Sequence, residues 1–169
     1  MLRKSDIQPL VKSVHTQLFQ AQKRVAVALC GKGNIGSSWL SLFKEQKSEL
    51  EKRRGMSFNL VAVIDSQTYW FDEDGIDEQQ VLARYEDEAI EYQGDIWLQR
   101  LAALQGYDEG VVLDVTASAA LAERYVSIAE HGLHLISANK VAGSAPSNDY
   151  HAVQDSFSKP VVTGCTTLL

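Results

Sequence analysis

Apolar residues first recur at helical spacing in Ile7, Leu10, Val11, Val14, Leu18 and Phe19, which predicts an amphipathic helix over residues 5–22. Its stripe fits either the domain's own sheet or a connector that docks on another domain or subunit, because periodicity does not identify the surface a helix covers. The pattern then changes. Val25-Ala26-Val27-Ala28-Leu29-Cys30 is a continuous apolar run of strand length, broken at Gly31-Lys32-Gly33-Asn34-Ile35-Gly36. Beyond the break Ile35, Trp39, Leu42, Phe43 and Leu50 fall on one face of a helix of roughly 30 Å, from Asn34 to Arg54, and Gly55 is placed to end it. Phe58 to Asp65 reads as a second buried strand, Gly110 to Thr116 as a third and Leu133 to Ser137 as a fourth.

Between these strands lie further helical patterns: Val81, Leu82, Tyr85 and Ala89; Trp97, Leu98, Leu101 and Leu104; and Leu121, Tyr125, Ile128 and Ala129. The first two are expected to cover one face of the sheet. The stretch from Ser66 to Gly75 reads as a loop or a short extra hairpin, its acids a solvated face. Buried strands alternating with helices predict an α/β fold: a Rossmann-type doubly wound parallel sheet, covered on both faces. The expected division is a helix or connector at 1–23, one dinucleotide-binding domain at 24–163 and a tail at 164–169.

The break after the first strand carries the chemistry. In Gly-x-Gly-x-x-Gly, Gly31 makes the turn, Gly33 lets backbone approach a pyrophosphate, and Gly36 lets the helix pack on the strand. The phosphates then sit at the helix start, by Asn34 and Ile35, where free N–H groups and the helix dipole attract an anion. The pattern alone is weak; its strand–turn–helix setting strengthens it.

Composition narrows the partners. The 169 residues suit one domain. A formal charge of −6 argues against nucleic acid, which calls for a basic stripe. Lys52-Arg53-Arg54 reads as the basic last turn of a helix. No segment approaches membrane-spanning length, and without a secretory leader the expected location is the cytoplasm. Cys30 and Cys165 make no disulfide framework; Cys30 is expected to be a small buried residue. The four histidines lack ligand spacing, so no metal site is expected.

In an open parallel sheet the ligand lies beyond the carboxyl ends of the strands. Those positions hold the glycine turn, Asp65-Ser66-Gln67, Thr116-Ala117-Ser118 and Ala138-Asn139-Lys140. Asp65 stands where such folds place an acid for the adenosine ribose, or it is a solvated turn carboxylate. Thr116 and Ser118 can line a flat ring and donate hydrogen bonds, although Ser118 also suits a helix N-cap. Lys140 supplies a cation toward a phosphate, carboxylate or carbonyl, or is an ordinary surface lysine.

The stretches Val27 to Gly36, Leu113 to Ser118 and His134 to Lys140 together resemble the cofactor-binding domain of homoserine dehydrogenase, most closely the dehydrogenase half of the bifunctional aspartokinase/homoserine dehydrogenases of the methionine branch. The resemblance covers about residues 10–158. It implies interconversion of homoserine and aspartate 4-semialdehyde by hydride transfer with a nicotinamide cofactor, with Thr116 and Lys140 reaching toward the nicotinamide end. Family members often carry an arginine soon after the second strand, suited to the 2′-phosphate of NADP; here Gln67 follows Asp65. An acid without that arginine favours NAD on physical grounds, while the resemblance favours NADP.

The resemblance also implies a substrate domain with the proton-transfer groups and a preceding kinase domain, and a homo-oligomer is expected. The expectation is therefore an excised or truncated cofactor domain, inactive alone, with a tail unlike the family and an uncovered crevice wall that promotes self-association. A non-catalytic NAD(H)-sensing module is the other class of reading.

Overall fold

The computed structural model describes residues 22–140 and 155–157. The helix expected over 5–22, the stretch from 141 to 154, and Cys165 with the rest of the tail lie outside them. The elements are β1 (Lys23–Cys30), α1 (Asn34–Arg54), β2 (Met56–Ile64), β3 (Thr68–Phe71), α2 (Val81–Glu88), β4 (Ile90–Glu91), α3 (Ile96–Ala102), β5 (Glu109–Asp114), α4 (Ala119–Ala122), α5 (Tyr125–Glu130) and β6 (His134–Ser137). They form one six-stranded sheet in the order β4-β3-β2-β1-β5-β6.

The four strands read from the sequence pair in parallel, β2 on β1, β1 on β5 and β5 on β6. The sheet is nevertheless mixed. Ser66 and Gln67 turn the chain back after β2, so β3 runs antiparallel to β2 and β4 antiparallel to β3. The hairpin alternative for Ser66 to Gly75 is therefore the one adopted, and the all-parallel expectation is corrected at this edge.

Strand periodicity divides the core. Val25, Val27 and Leu29 of β1 face one side with Leu40 of α1 and Val81 and Tyr85 of α2. Ala26, Ala28 and Cys30 face the other, with Trp97 and Leu101 of α3 and Tyr125 and Ile128 of α5. The side chains of β1 on the second face are small, which leaves room for Trp97 and Tyr125. The helices at 81–88 and 96–102 thus cover opposite faces of the sheet, not one. Each fully buried leucine or valine, such as Leu29 or Val63, contributes roughly 1.5–3 kcal/mol.

Two local features alter the expected pattern. The β1–β2 register shifts between Val27 and Ala28, which makes Val61 an extra residue in β2; Val61 and Ala62 consequently both join the α3/α5 core. On α1 the buried positions are Gly36 and Leu40, with Trp39 and Phe43 stacked and packed against the core, whereas Ile35, Leu42 and Leu50 of the expected stripe are exposed. As expected, α1 ends in the basic Lys52-Arg53-Arg54, with Gly55 in the left-handed conformation. The helix read through Leu121 and Ile128 is broken into α4 and α5 at Glu123 and Arg124.

Candidate cofactor site

The glycine turn sits at the centre of the sheet's carboxyl edge, between the ends of β2 and β5. Gly31 has φ +96°, open to glycine and strained for other residues. Its N–H donates to the Ile64 carbonyl at 2.8 Å, and the Val115 N–H donates to the Cys30 carbonyl at 3.1 Å. A Cβ on Gly31 would lie 2.8 Å from Thr116 Cγ2, and one on Gly36 would lie 2.0 Å from the Gly31 carbonyl oxygen. Both glycines are required for the turn to close on itself and on the end of β5.

Gly33 differs: a Cβ there would meet nothing within 4 Å. It is the N-cap of α1 and provides no side-chain cap, and the first turn of the helix carries no acid. The first N–H groups of a helix lack intrahelical partners, so those at Asn34, Ile35 and Gly36 are offered to whatever occupies this space. Asn34 is exposed, as is Ile35 at 59%. The cradle fits a pyrophosphate: open space over Gly33, free donors, and the positive end of a helix of 21 residues.

To the β2 side, Asp65 is 41% exposed and bonded on both oxygens. Oδ1 accepts from the Ser66 N–H at 2.8 Å, and Oδ2 lies 3.4 Å from Lys32 Nζ. Lys32 also donates to Glu86 Oε1 at 2.9 Å and lies 4.8 Å over the Tyr85 ring. The hydrogen bond to Glu86, opposed in part by desolvation and reinforced by Asp65, holds its ammonium above the ordinary lysine range.

To the β6 side, Asp114 is fully buried and gathers donors from both strand ends. Oδ1 accepts from the Thr116 N–H at 2.8 Å and the Thr116 hydroxyl at 2.7 Å; Oδ2 accepts from the Tyr125 hydroxyl at 2.7 Å and Asn139 Nδ2 at 3.1 Å. Because Tyr125 spends its one proton on Asp114, Ser137 is the donor in the 2.5 Å Ser137–Tyr125 contact. Ser137 Oγ in turn accepts from the Asn139 N–H at 3.0 Å, and Asn139 Nδ2 also reaches the Ser118 carbonyl at 2.9 Å. Burial above all pushes the Tyr125 phenol well up from its usual value, so it remains a donor at any physiological pH.

This network revises the roles read from sequence. Thr116 gives its hydroxyl proton to Asp114, so toward a ligand its oxygen can only accept. Ser118 is the N-cap of α4, accepting from the Leu121 N–H at 3.3 Å. Lys140 is exposed, immediately after the anchored Asn139. The turn with Asn34 and Ile35, Asp65, Thr116, Ser118 and Lys140 accordingly all lie along one edge, beyond the strand ends. Sequence reasoning gave no role to Asp114, Tyr125, Ser137, Lys32 or Glu86. An acid inside the apolar run Val111-Val112-Leu113-Asp114-Val115 was the available signal, since a buried charge must be satisfied by donors or an ion. Among the described residues no cluster of histidine, cysteine, aspartate and glutamate could hold a metal, and no helix is long and apolar enough to cross a membrane.

The model of the homoserine dehydrogenase NAD-binding domain matches residues 31–163. The bifunctional aspartokinase/homoserine dehydrogenase 2 of Escherichia coli is 43% identical over 162 residues, covering 94% of this chain and 20% of that protein. The chloroplastic aspartokinase/homoserine dehydrogenase 2 of Arabidopsis thaliana is 24% identical over 92% of this chain and 17% of its own length. The chain thus spans about a fifth of the curated relatives it matches. In fold it is similar to a homoserine dehydrogenase from Thermoplasma acidophilum, with TM-score 0.57 and 23% identity over 79% of this chain and 40% of the other. A hyperthermophilic archaeal homoserine dehydrogenase in complex with NADPH gives TM-score 0.58 at 13% identity, over 79% of this chain and 41% of that one. By the family match and by its identity to the Escherichia coli protein, this chain belongs to the homoserine dehydrogenase NAD-binding domain family.

Proposed function

We propose that the edge running from Asp65 through the glycine turn to Thr116 and Lys140 binds a nicotinamide dinucleotide, and that the chain is the cofactor domain of an enzyme interconverting homoserine and aspartate 4-semialdehyde. The observation that carries this is the open space at Gly33, flanked by two glycines that admit no side chain, at the uncapped start of α1. In this reading Gly31, Gly33, Asn34, Ile35 and Gly36 hold the pyrophosphate, Asp65 faces the adenosine ribose, and Thr116, Ser118 and Lys140 border the nicotinamide. The cofactor, when bound, supplies the hydride chemistry. The protein's part is to orient it: the Asp114 network fixes the Thr116 oxygen as an acceptor and sets the position of Lys140. Groups that move the alcohol proton belong to a substrate domain, so the isolated chain binds cofactor without turning over homoserine.

We read the cofactor as NADP: an archaeal homoserine dehydrogenase of similar fold in complex with NADPH supports it, as does the pairing of Asp65 with a cation. The domain is taken to span residues 24–163, within a cytoplasmic homo-oligomer. Titration of the chain with NADPH and NADH, followed by quenching of Trp39, Trp70 and Trp97, tests the reading. Saturable binding of a dinucleotide is expected; the absence of saturation by either one rejects it.

A further inference from the structure

The adenosine end of the site contains an ion cluster that the pyrophosphate cradle does not require. A free acid at the end of the second strand suits the ribose 2′-hydroxyl of NAD and repels the 2′-phosphate of NADP, for which an arginine nearby is the usual accommodation. Here Asp65 is followed by Ser66, Gln67 and Thr68. The arginine of α2 is engaged elsewhere: Arg84 bonds Gln80 and Glu88 and lies over Trp70. The cation at Asp65 comes from inside the glycine turn, where Lys32 Nζ stands 3.4 Å from Asp65 Oδ2 and 2.9 Å from Glu86 Oε1. The two acids differ in setting. Glu86 is 81% exposed and Asp65 is 41% exposed, so solvent screens the Glu86 pair more, and exposed pairs hold weakly.

We propose that Lys32 is the residue by which this domain selects NADP over NAD: it neutralises Asp65, and it exchanges Glu86 for the 2′-phosphate. The inference rests on the dinucleotide reading above. An ammonium has three donors and no fixed plane, so Lys32 can keep Asp65 while turning a proton from one anion to another. Glu86 then acts as a placeholder that competes with the phosphate, and Tyr85, whose hydroxyl bonds the Thr68 carbonyl at 2.8 Å, is the floor that keeps the lysine stem over the site.

The test is calorimetric titration of the full chain and its Lys32→Gln, Lys32→Arg and Glu86→Gln variants. The probes are NADPH, NADH, adenosine 2′,5′-bisphosphate and adenosine 5′-monophosphate, and thermal melts confirm that each variant is folded. The unaltered chain is expected to prefer NADPH, and the bisphosphate over the monophosphate. Lys32→Gln should weaken NADPH and the bisphosphate about 10- to 100-fold, the range for a charge-assisted hydrogen bond, with NADH within about threefold. Lys32→Arg should retain the preference. Glu86→Gln should tighten NADPH a few-fold and leave NADH unchanged, which keeps the proposal testable through a second residue should Lys32→Gln not fold. Preference for NADH in the unaltered chain, or an unchanged NADPH-to-NADH ratio in both Lys32→Gln and Glu86→Gln, overturns the role of Lys32 while the dinucleotide site stands. Failure of the unaltered chain to bind either dinucleotide overturns the site itself, and the inference with it.

Discussion

Asp114, fully buried, is the residue that ties together the β6 side of the candidate site. Its two oxygens are taken by Thr116, Tyr125 and Asn139, so the burial of its charge is compensated by donors drawn from the loop after β5, from α5 and from the loop after β6. Asp114→Asn replaces an acceptor with an NH2 that must face one of those donors. We expect a loss of about 2–3 kcal/mol of stability, the scale of hydrogen bonds to a buried charge, measurable by urea denaturation. Weaker cofactor binding should accompany it, because Thr116 and Lys140 are released together. Periodicity finds apolar faces, and Asp114 lies in a strand that the apolar pattern marks correctly; what it bonds depends on Tyr125 and Asn139, which come close only when α5 and β6 pack.

Among the elements, the glycine turn shows how two substitutions of one kind separate structure from binding. Gly36→Ala puts a Cβ 2.0 Å from backbone at Gly31; the helix must move, at a cost of about 1–3 kcal/mol, and the melting temperature should fall. Gly33→Ala meets nothing, and its φ of −68° suits alanine. It should melt like the unaltered chain and bind dinucleotide at least several-fold more weakly, as measured by tryptophan quenching. Equal affinity in Gly33→Ala would contradict the cradle. These glycines were legible because strand, turn and helix follow one another without a gap. The hairpin of β3 was legible only as one alternative, since Ser66 and Gln67 carry no glycine or proline to mark a turn. The faces of α2 and α3 were not legible, because two amphipathic helices joined through an edge strand have the same spacing whichever side they take. On α1, spacing alone does not separate Leu40, which is buried, from Leu42, which is not.

At the scale of the whole molecule, the small-residue face of β1 concentrates ionisable groups in a dry core. Cys30 is fully buried, and burial with the nearby Asp114 pushes its thiol well above its usual range; Tyr125 on the same face is pushed up as well. For both groups the folded state keeps its proton at a pH where the unfolded chain has lost it. Stability therefore holds below the unfolded values, near pH 9 for the thiol and pH 10 for the phenol, and declines as pH rises above them. Cys30→Ala should flatten the first part of that decline, as followed by denaturant midpoints across pH 8–10.5. In a Cys165→Ser background Cys30 should resist thiol reagents until denaturant is added.

The extra residue at Val61 has an effect far from where it sits. Before it, each residue of β1 pairs with the one 33 positions later; after it, with the one 34 later, as in Val27 with Leu60 and Cys30 with Ile64. Without that step Gly31 would come level with Ile64, and Asp65 would lie one residue, about 3.3 Å, farther along the strand. A stutter inside the core thus acts as a phase adjuster: with it Asp65 falls level with Gly31, the first residue of the glycine turn, and without it Asp65 would fall level with Lys32.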